Sequence, residues 1–109
     1  MLLRRSPALT PDQAAEALAR GELQLVDVRE ARELADARVI GAAHIPLGQL
    51  VVRLGELDRR RPVAFLCRSG SRSAAATRIA TKAGLNASNV RGGVMAWKRA
   101  GLPLAASRA

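Results

Sequence analysis

The chain has 109 residues, 49% of them hydrophobic and 2% aromatic. This is one domain's worth of polypeptide, able to bury roughly two thirds of its unfolded surface around Leu, Val, Ile and Ala. A formal charge of +9, carried by 16 Arg and 2 Lys against 9 acids, draws small anions to the surface. The bases are spread along the chain apart from Arg59 to Arg61 and have no aromatic stacking platforms beside them, so no nucleic-acid partner is expected.

In chain order, "TPDQAAEALARG" predicts a helix with Thr10 as N-cap, Pro11 at the first helical position, Gln13 closing a capping box and Gly21 ending it. "LQLVDV", Leu23 to Val28, is a short apolar run that predicts a buried strand. "REARELADAR" predicts a short helix, and "AAHIP" a brief strand ended by Pro46. "LGQLVVRLGEL" has apolar residues at helical spacing, weakened by Val51, Val52 and Gly55. "RPVAFLC" predicts a strand, "SRSAAATRIATKAG" a helix capped by Gly84, "NVRGG" a last short strand and turn, and "VMAWKRAG" a final helix. Alternating strands and helices, with connections too long for hairpins, predict an α/β domain around a mostly parallel sheet covered on both faces. Only the first six or so residues and "AASRA" read as loose ends.

The one cysteine, Cys67, stands where the third apolar strand ends and a helix is about to begin. Ligand sites in open α/β sheets form beyond the carboxyl ends of strands. Arg68, Ser69, Gly70, Ser71 and Arg72 follow it, small and flexible enough for successive backbone N–H groups to turn inward as an anion-binding nest, with the positive end of the helix behind them. A thiolate in that field has a lowered pKa and is a nucleophile at neutral pH without a histidine base. The plainer alternative, a small buried hydrophobe, does not call for a Gly/Ser loop and two arginines. A single cysteine excludes an internal disulfide, the N-terminal "MLLRRSPALT" lacks the apolar run of a signal peptide, and no apolar run approaches the roughly 20 residues that span a bilayer. The expectation is a reduced, cytoplasmic protein without a membrane partner.

From about Leu9 to Leu104 the chain resembles the single-domain rhodaneses, thiosulfate sulfurtransferase-like proteins. The likeness rests on "LVDVRE" (Leu25 to Glu30), "GAAHIPL" (Gly41 to Leu47), the loop "CRSGSRS" and "GGVMAWKRAGLPL" (Gly92 to Leu104). It implies one rhodanese domain over residues 1–109, with a central five-stranded parallel sheet flanked by helices on both faces. It also implies that Cys67 carries sulfur as a persulfide and that residues 68 to 72 cradle the substrate. Arg68 and Gly70 match the "CRKGVT" loop of thiosulfate-using members better than the "CGSGVT" of mercaptopyruvate-using ones, so a small anionic donor such as thiosulfate is expected. Cyanide, a thiol or a protein would accept the sulfur. No metal or organic cofactor is required, and one histidine is not a metal site.

The chain departs from the family pattern at Ala37, Arg38 and Val39, where members often read Gly-His-Ile, and at His44, where many have Asn. His44 reads as structural. Asp27 and Arg29 read as an ion pair holding strand to helix, with substrate binding as the alternative, and Trp97 as a packing anchor. Two further functions compete: a carrier delivering persulfide to a protein partner, and a cysteine-dependent phosphatase or arsenate reductase. Phosphatases of the cell-cycle type share this fold and use Cys-x5-Arg, whereas Cys67 and Arg72 give Cys-x4-Arg and Leu66 stands where they carry His.

Overall fold

A computed structural model describes residues 8–106. Five parallel strands, β1 (Ala8–Leu9), β2 (Gln24–Asp27), β3 (Ala43–His44), β4 (Val63–Leu66) and β5 (Ala87–Val90), form one sheet in the order β1-β5-β4-β2-β3. Four α-helices lie in the connections between them, α1 (Pro11–Ala19), α2 (Ala31–Leu34), α3 (Leu50–Arg53) and α4 (Ser71–Lys82), and α5 (Gly93–Arg99) follows β5. The α/β expectation holds.

Alternation along β4 sorts the core into two layers, because successive strand side chains point to opposite faces. Val63, Phe65 and Cys67 pack with Val26, Leu50, Ala76 and Ala80, on the side covered by α3 and α4. Ala64 and Leu66 pack with Ala14, Leu25, Val94 and Trp97, on the side covered by α1 and α5. Cys67 therefore continues the face that α4 covers, which aims its sulfur at that helix's N-terminus.

Helix α1 begins as its sequence dictates: Gln13 N–H donates to Thr10 Oγ1 at 3.1 Å and Thr10 N–H to Gln13 Oε1 at 2.9 Å. Three local readings are corrected. The reading of the residues finds four strands; the fifth is Ala8–Leu9, an edge strand too short to show a period, held by pairing with Asn89 and Val90. The helix expected over Leu47 to Leu57 is one α-turn between two 3₁₀ turns. Gly48, Gly55 and the β-branched pair disfavour a longer one, and Val51 and Val52 stay in water, 66% and 84% exposed. Ala105, read as a loose end, exchanges two backbone hydrogen bonds of 2.9 Å with Arg38. The first six residues and Ser107 to Ala109 lie outside the described residues.

The basic run is spent on structure. Arg59 donates to the Ala83 carbonyl at the end of α4, Arg60 pairs with Asp58, and Arg61 donates to the carbonyls of Gly21 and Leu23 at 3.3 and 3.2 Å. Among the described residues no helix is long and apolar enough to cross a membrane.

Candidate functional site

A parallel sheet brings the carboxyl ends of all its strands to one edge. Three segments meet there: the turn after β2 with Asp27 and Arg29, the loop after β4 with Cys67, and the Gly92–Gly93 turn after β5.

The Cys67 loop is closed by α4 and by its own glycine. Gly70 takes φ +117°, a backbone region costly for a residue with a Cβ. Its N–H donates to Cys67 Sγ at 3.1 Å, and the Ser73 N–H does so at 3.3 Å. Ser73 is the third residue of α4, where backbone N–H groups have no partner inside the helix, so the sulfur takes up one of them. The Ser73 hydroxyl lies 3.2 Å from Sγ, 3.2 Å from the Gly70 carbonyl and 2.6 Å from Asn89 Oδ1. It has one proton for three acceptors.

Burial, with Cys67 only 1% exposed, pushes the thiol pKa up. The Ser73 hydroxyl and the amides of Ser73, Gly70 and Ser69 outweigh burial, and the net shift is downward. The stabilisation this confers is fully present above the ordinary thiol pKa of about 8.5 and is lost as pH falls through the lower folded value. Ser73→Ala, which keeps the amides, should move the pH profile of Cys67 alkylation by iodoacetamide to higher pH and slow alkylation at pH 7 by roughly tenfold. An unchanged profile would mean that the amides alone hold the thiolate.

Segment β5–α5 braces the loop from outside. Val94 N–H donates to the Cys67 carbonyl at 2.8 Å and Met95 N–H to the Arg68 carbonyl at 3.1 Å, which fastens the start of the loop to α5. Gly93 makes this approach possible. At φ +62°, a Cβ there would stand 2.4 Å from the Cys67 oxygen and 2.5 Å from the Arg68 oxygen. Gly93→Ala should therefore lower stability by about 2 kcal/mol or more and Tm by roughly 8 °C or more. Thermal unfolding measures this, and a near wild-type Tm would show that the loop yields without cost.

The predicted cradle residues do not share one role in the structure. The Gly70 amide donates to the sulfur and the Ser69 amide helps to lower its pKa, while Arg68, Ser69 and Ser71 are exposed residues. Arg72 is engaged elsewhere, in a two-pronged pair with Glu33 at 2.7 and 2.8 Å. That pair holds the Glu33 carboxyl at a pKa of about 2. Its contribution is fully present above the ordinary glutamate value of about 4.3 and is lost as pH falls through about 2. It ties the loop to α2.

Asp27 and Arg29 form a buried pair, with side chains 2% and 5% exposed and Arg29 Nη2 2.8 Å from Asp27 Oδ2. Arg29 also donates to the carbonyls of Ala37 at 2.8 Å and Glu33 at 3.2 Å. His44 Nε2–H donates to the Arg29 carbonyl at 2.7 Å, which fixes that tautomer. These contacts stitch β2 to the segment through residues 33 to 44, as the ion-pair reading expected. Trp97 is 2% exposed and donates its indole N–H to the Pro103 carbonyl at 3.1 Å.

The Rhodanese-like domain family matches residues 10–100. The chain belongs to that family. It is 39% identical over 77 residues to the putative sulfurtransferase YtwF of Bacillus subtilis, covering 71% of this chain and 75% of that protein. It is 36% identical over 86 residues to a sulfurtransferase of Allochromatium vinosum, covering 78% and 80%. A rhodanese-related protein from Thermoplasma volcanium has the same fold, with a TM-score of 0.85 and 30% identity, over 95% of this chain and all of that one.

Reading the residues of this rhodanese-like domain missed Ser73, Asn89 and Glu33. Ser73 had a local signal, since a hydroxyl and a free amide in the first turn of a predicted helix face whatever precedes it. Asn89 had none: it meets the loop only because β5 pairs with β4, Phe65 opposite Asn89.

Proposed function

We propose that the protein is a sulfurtransferase that moves sulfane sulfur through a persulfide on Cys67, with thiosulfate or a similar small anion as donor. The observation that carries this reading is the thiol itself, buried, surrounded by N–H and O–H donors and lowered in pKa. Such a group is a nucleophile in a site shaped to hold negative charge on sulfur.

The reaction has two displacements at sulfur. Cys67 thiolate attacks the outer sulfur of thiosulfate; the new S–S bond forms as the old one breaks, and sulfite leaves with the electron pair. The outer sulfur now carries the negative charge, near the amides that held the thiolate. Cyanide or a thiol then takes that sulfur, and the pair of the broken bond returns to Cys67. Arg68, exposed at the loop, attracts the donor and meets its sulfonate oxygens. Arg72 acts through Glu33, keeping the loop in shape. Phosphoryl transfer is the less favoured chemistry, because the loop is one residue short of Cys-x5-Arg and Arg72 is turned away to a carboxylate. Intact-protein mass spectrometry after thiosulfate treatment tests the reading. A gain of one sulfur, removed by cyanide with formation of thiocyanate, is expected; no gain, with hydrolysis of an aryl phosphate instead, overturns it.

A further inference from the structure

Asn89 stands where folding alone would not put an asparagine. Side chains along β5 alternate between the two layers: Val90 belongs to the one covered by α1 and α5, Ala87 to the one covered by α4, and Asn89, two residues on, faces α4 as well. Asparagine is depleted from strands, and here it is half-buried in a strand that has β1 on one side and β4 on the other. Packing does not account for a carboxamide at this point. Its hydrogen bond does: Oδ1 lies 2.6 Å from the Ser73 hydroxyl oxygen, which is in turn 3.2 Å from Cys67 Sγ.

Two oxygens at that separation need a proton between them, and a carboxamide oxygen has none to give. The Ser73 proton therefore rests on Asn89. The Gly70 carbonyl, at 3.2 Å, is the more distant acceptor and already takes the Ala74 N–H at 3.0 Å. With Cys67 as a thiol the three groups form one chain, from S–H to Ser73 Oγ and from Ser73 O–H to Asn89 Oδ1. With Cys67 as a thiolate the negative sulfur competes with Oδ1 for the Ser73 proton. Asn89 and the sulfur are rivals for a single donor.

We infer that Asn89 is a positioning residue for sulfur transfer, acting through Ser73: its Oδ1 holds the Ser73 proton while Sγ is neutral and shares it while Sγ is charged. The kinetic part of the inference rests on the sulfurtransferase reading. During loading, an electron pair of Sγ becomes the bond to the incoming sulfur, and the charge ends on that outer sulfur; during discharge the pair of the broken bond returns to Sγ. A donor fixed on Sγ would stabilise the thiolate but not the persulfide, and that stabilisation would be lost on the way to the transition state. With Asn89 as a second acceptor, the Ser73 hydroxyl turns about Cβ–Oγ as the charge moves and keeps a partner throughout. No covalent bond of Ser73 or Asn89 forms or breaks, and no oxidant or reductant enters.

The charges around the sulfur stay in place in the test. Arg72 is the α4 charge that the Cys67 charge acts on, Arg68 adjoins Cys67 in the loop, and β2 and α3 meet the sulfur's layer with Val26, Val28 and Leu50. The experiment is a double-mutant cycle over wild type, Asn89→Leu, Ser73→Ala and the two together, read by the pH profile of Cys67 alkylation with iodoacetamide. Leucine matches asparagine in size and accepts no proton. Asn89→Leu should lower the alkylation midpoint by about half a pH unit, opposite in sign to Ser73→Ala, because the thiolate then has the hydroxyl to itself. Added to Ser73→Ala, it should leave the midpoint of that variant unmoved. Above both midpoints, Asn89→Leu should take sulfur from thiosulfate about twofold more slowly and give it to cyanide about twofold faster, since a more stable thiolate is the poorer nucleophile and the better leaving group. Asn89→Ala is measured in the same way and replaces Asn89→Leu if circular dichroism shows the latter unfolded. A midpoint that stays or rises overturns the inference. An equal fall without the Ser73 hydroxyl does so too, because Asn89 would then act on the sulfur by another route, as does a slowing of both half-reactions, which would make Asn89 a prop for the loop. The expected alkylation cycle in a wild-type protein that never gains sulfur supports the hold of Asn89 on the Ser73 proton and overturns the sulfurtransferase reading alone.

Discussion

Cys67→Ser should gain no sulfur from thiosulfate under conditions in which the wild type gains one, and should form no thiocyanate with cyanide. The change is nearly isosteric at a site that is 1% exposed, so the fold should persist, and circular dichroism before the assay establishes that it does. The loss comes from ionisation. A serine hydroxyl stays protonated near neutral pH, and the donors of Gly70 and Ser73 that lower a thiol pKa cannot bring an alcohol into range. Thiocyanate formation at a wild-type rate by the folded variant would remove Cys67 from the mechanism and leave the loop as a binding feature only.

The second large effect is on stability. Arg29→Ala should destabilise the domain by about 3–5 kcal/mol, the cost of leaving one member of a buried ion pair without its partner. The geometry puts this change at the upper end of that range, because Arg29 serves three acceptors: the Asp27 carboxylate and the carbonyls of Ala37 and Glu33. All lose their donor at once. With typical domains stable by about 5–15 kcal/mol, Tm should drop by at least about 12 °C. Asp27→Ala/Arg29→Ala should be less destabilising than the two single changes added together, since it removes the stranded charge. Additive losses would mean that the pair is not coupled, and that each side chain acts through packing alone.

Much of this molecule is legible along the chain. The capping box at Thr10, the strand through Leu25 and Val26, the strand ending at Cys67 and the helix that follows are written in local terms: a side chain that satisfies a helix N–H, a run of apolar residues, a glycine where the backbone must turn left-handed. The motifs spread from Leu25 to Leu104 carried the family resemblance in full. Where the local signal was weak the reading was less complete. Leu47 to Leu57 has helical spacing but β-branched and glycine residues that cannot sustain a helix, and Ala8–Leu9 is a strand only because β5 offers it an edge.

The sequence by itself determined that Cys67 would sit at a strand end before a helix, with a loop of small residues to cradle its charge, because each of those features depends on neighbours in the chain. Tertiary structure decided which donors reach the sulfur and what the arginines do. Ser73 enters because alternation along β4 turns the sulfur towards α4, and Asn89 because β5 lies beside β4. Arg72 was read as a ligand for the donor, yet its guanidinium rests on Glu33, thirty-nine residues away along the chain. Ion pairs are short-ranged in space and indifferent to sequence separation, so no local pattern announces them.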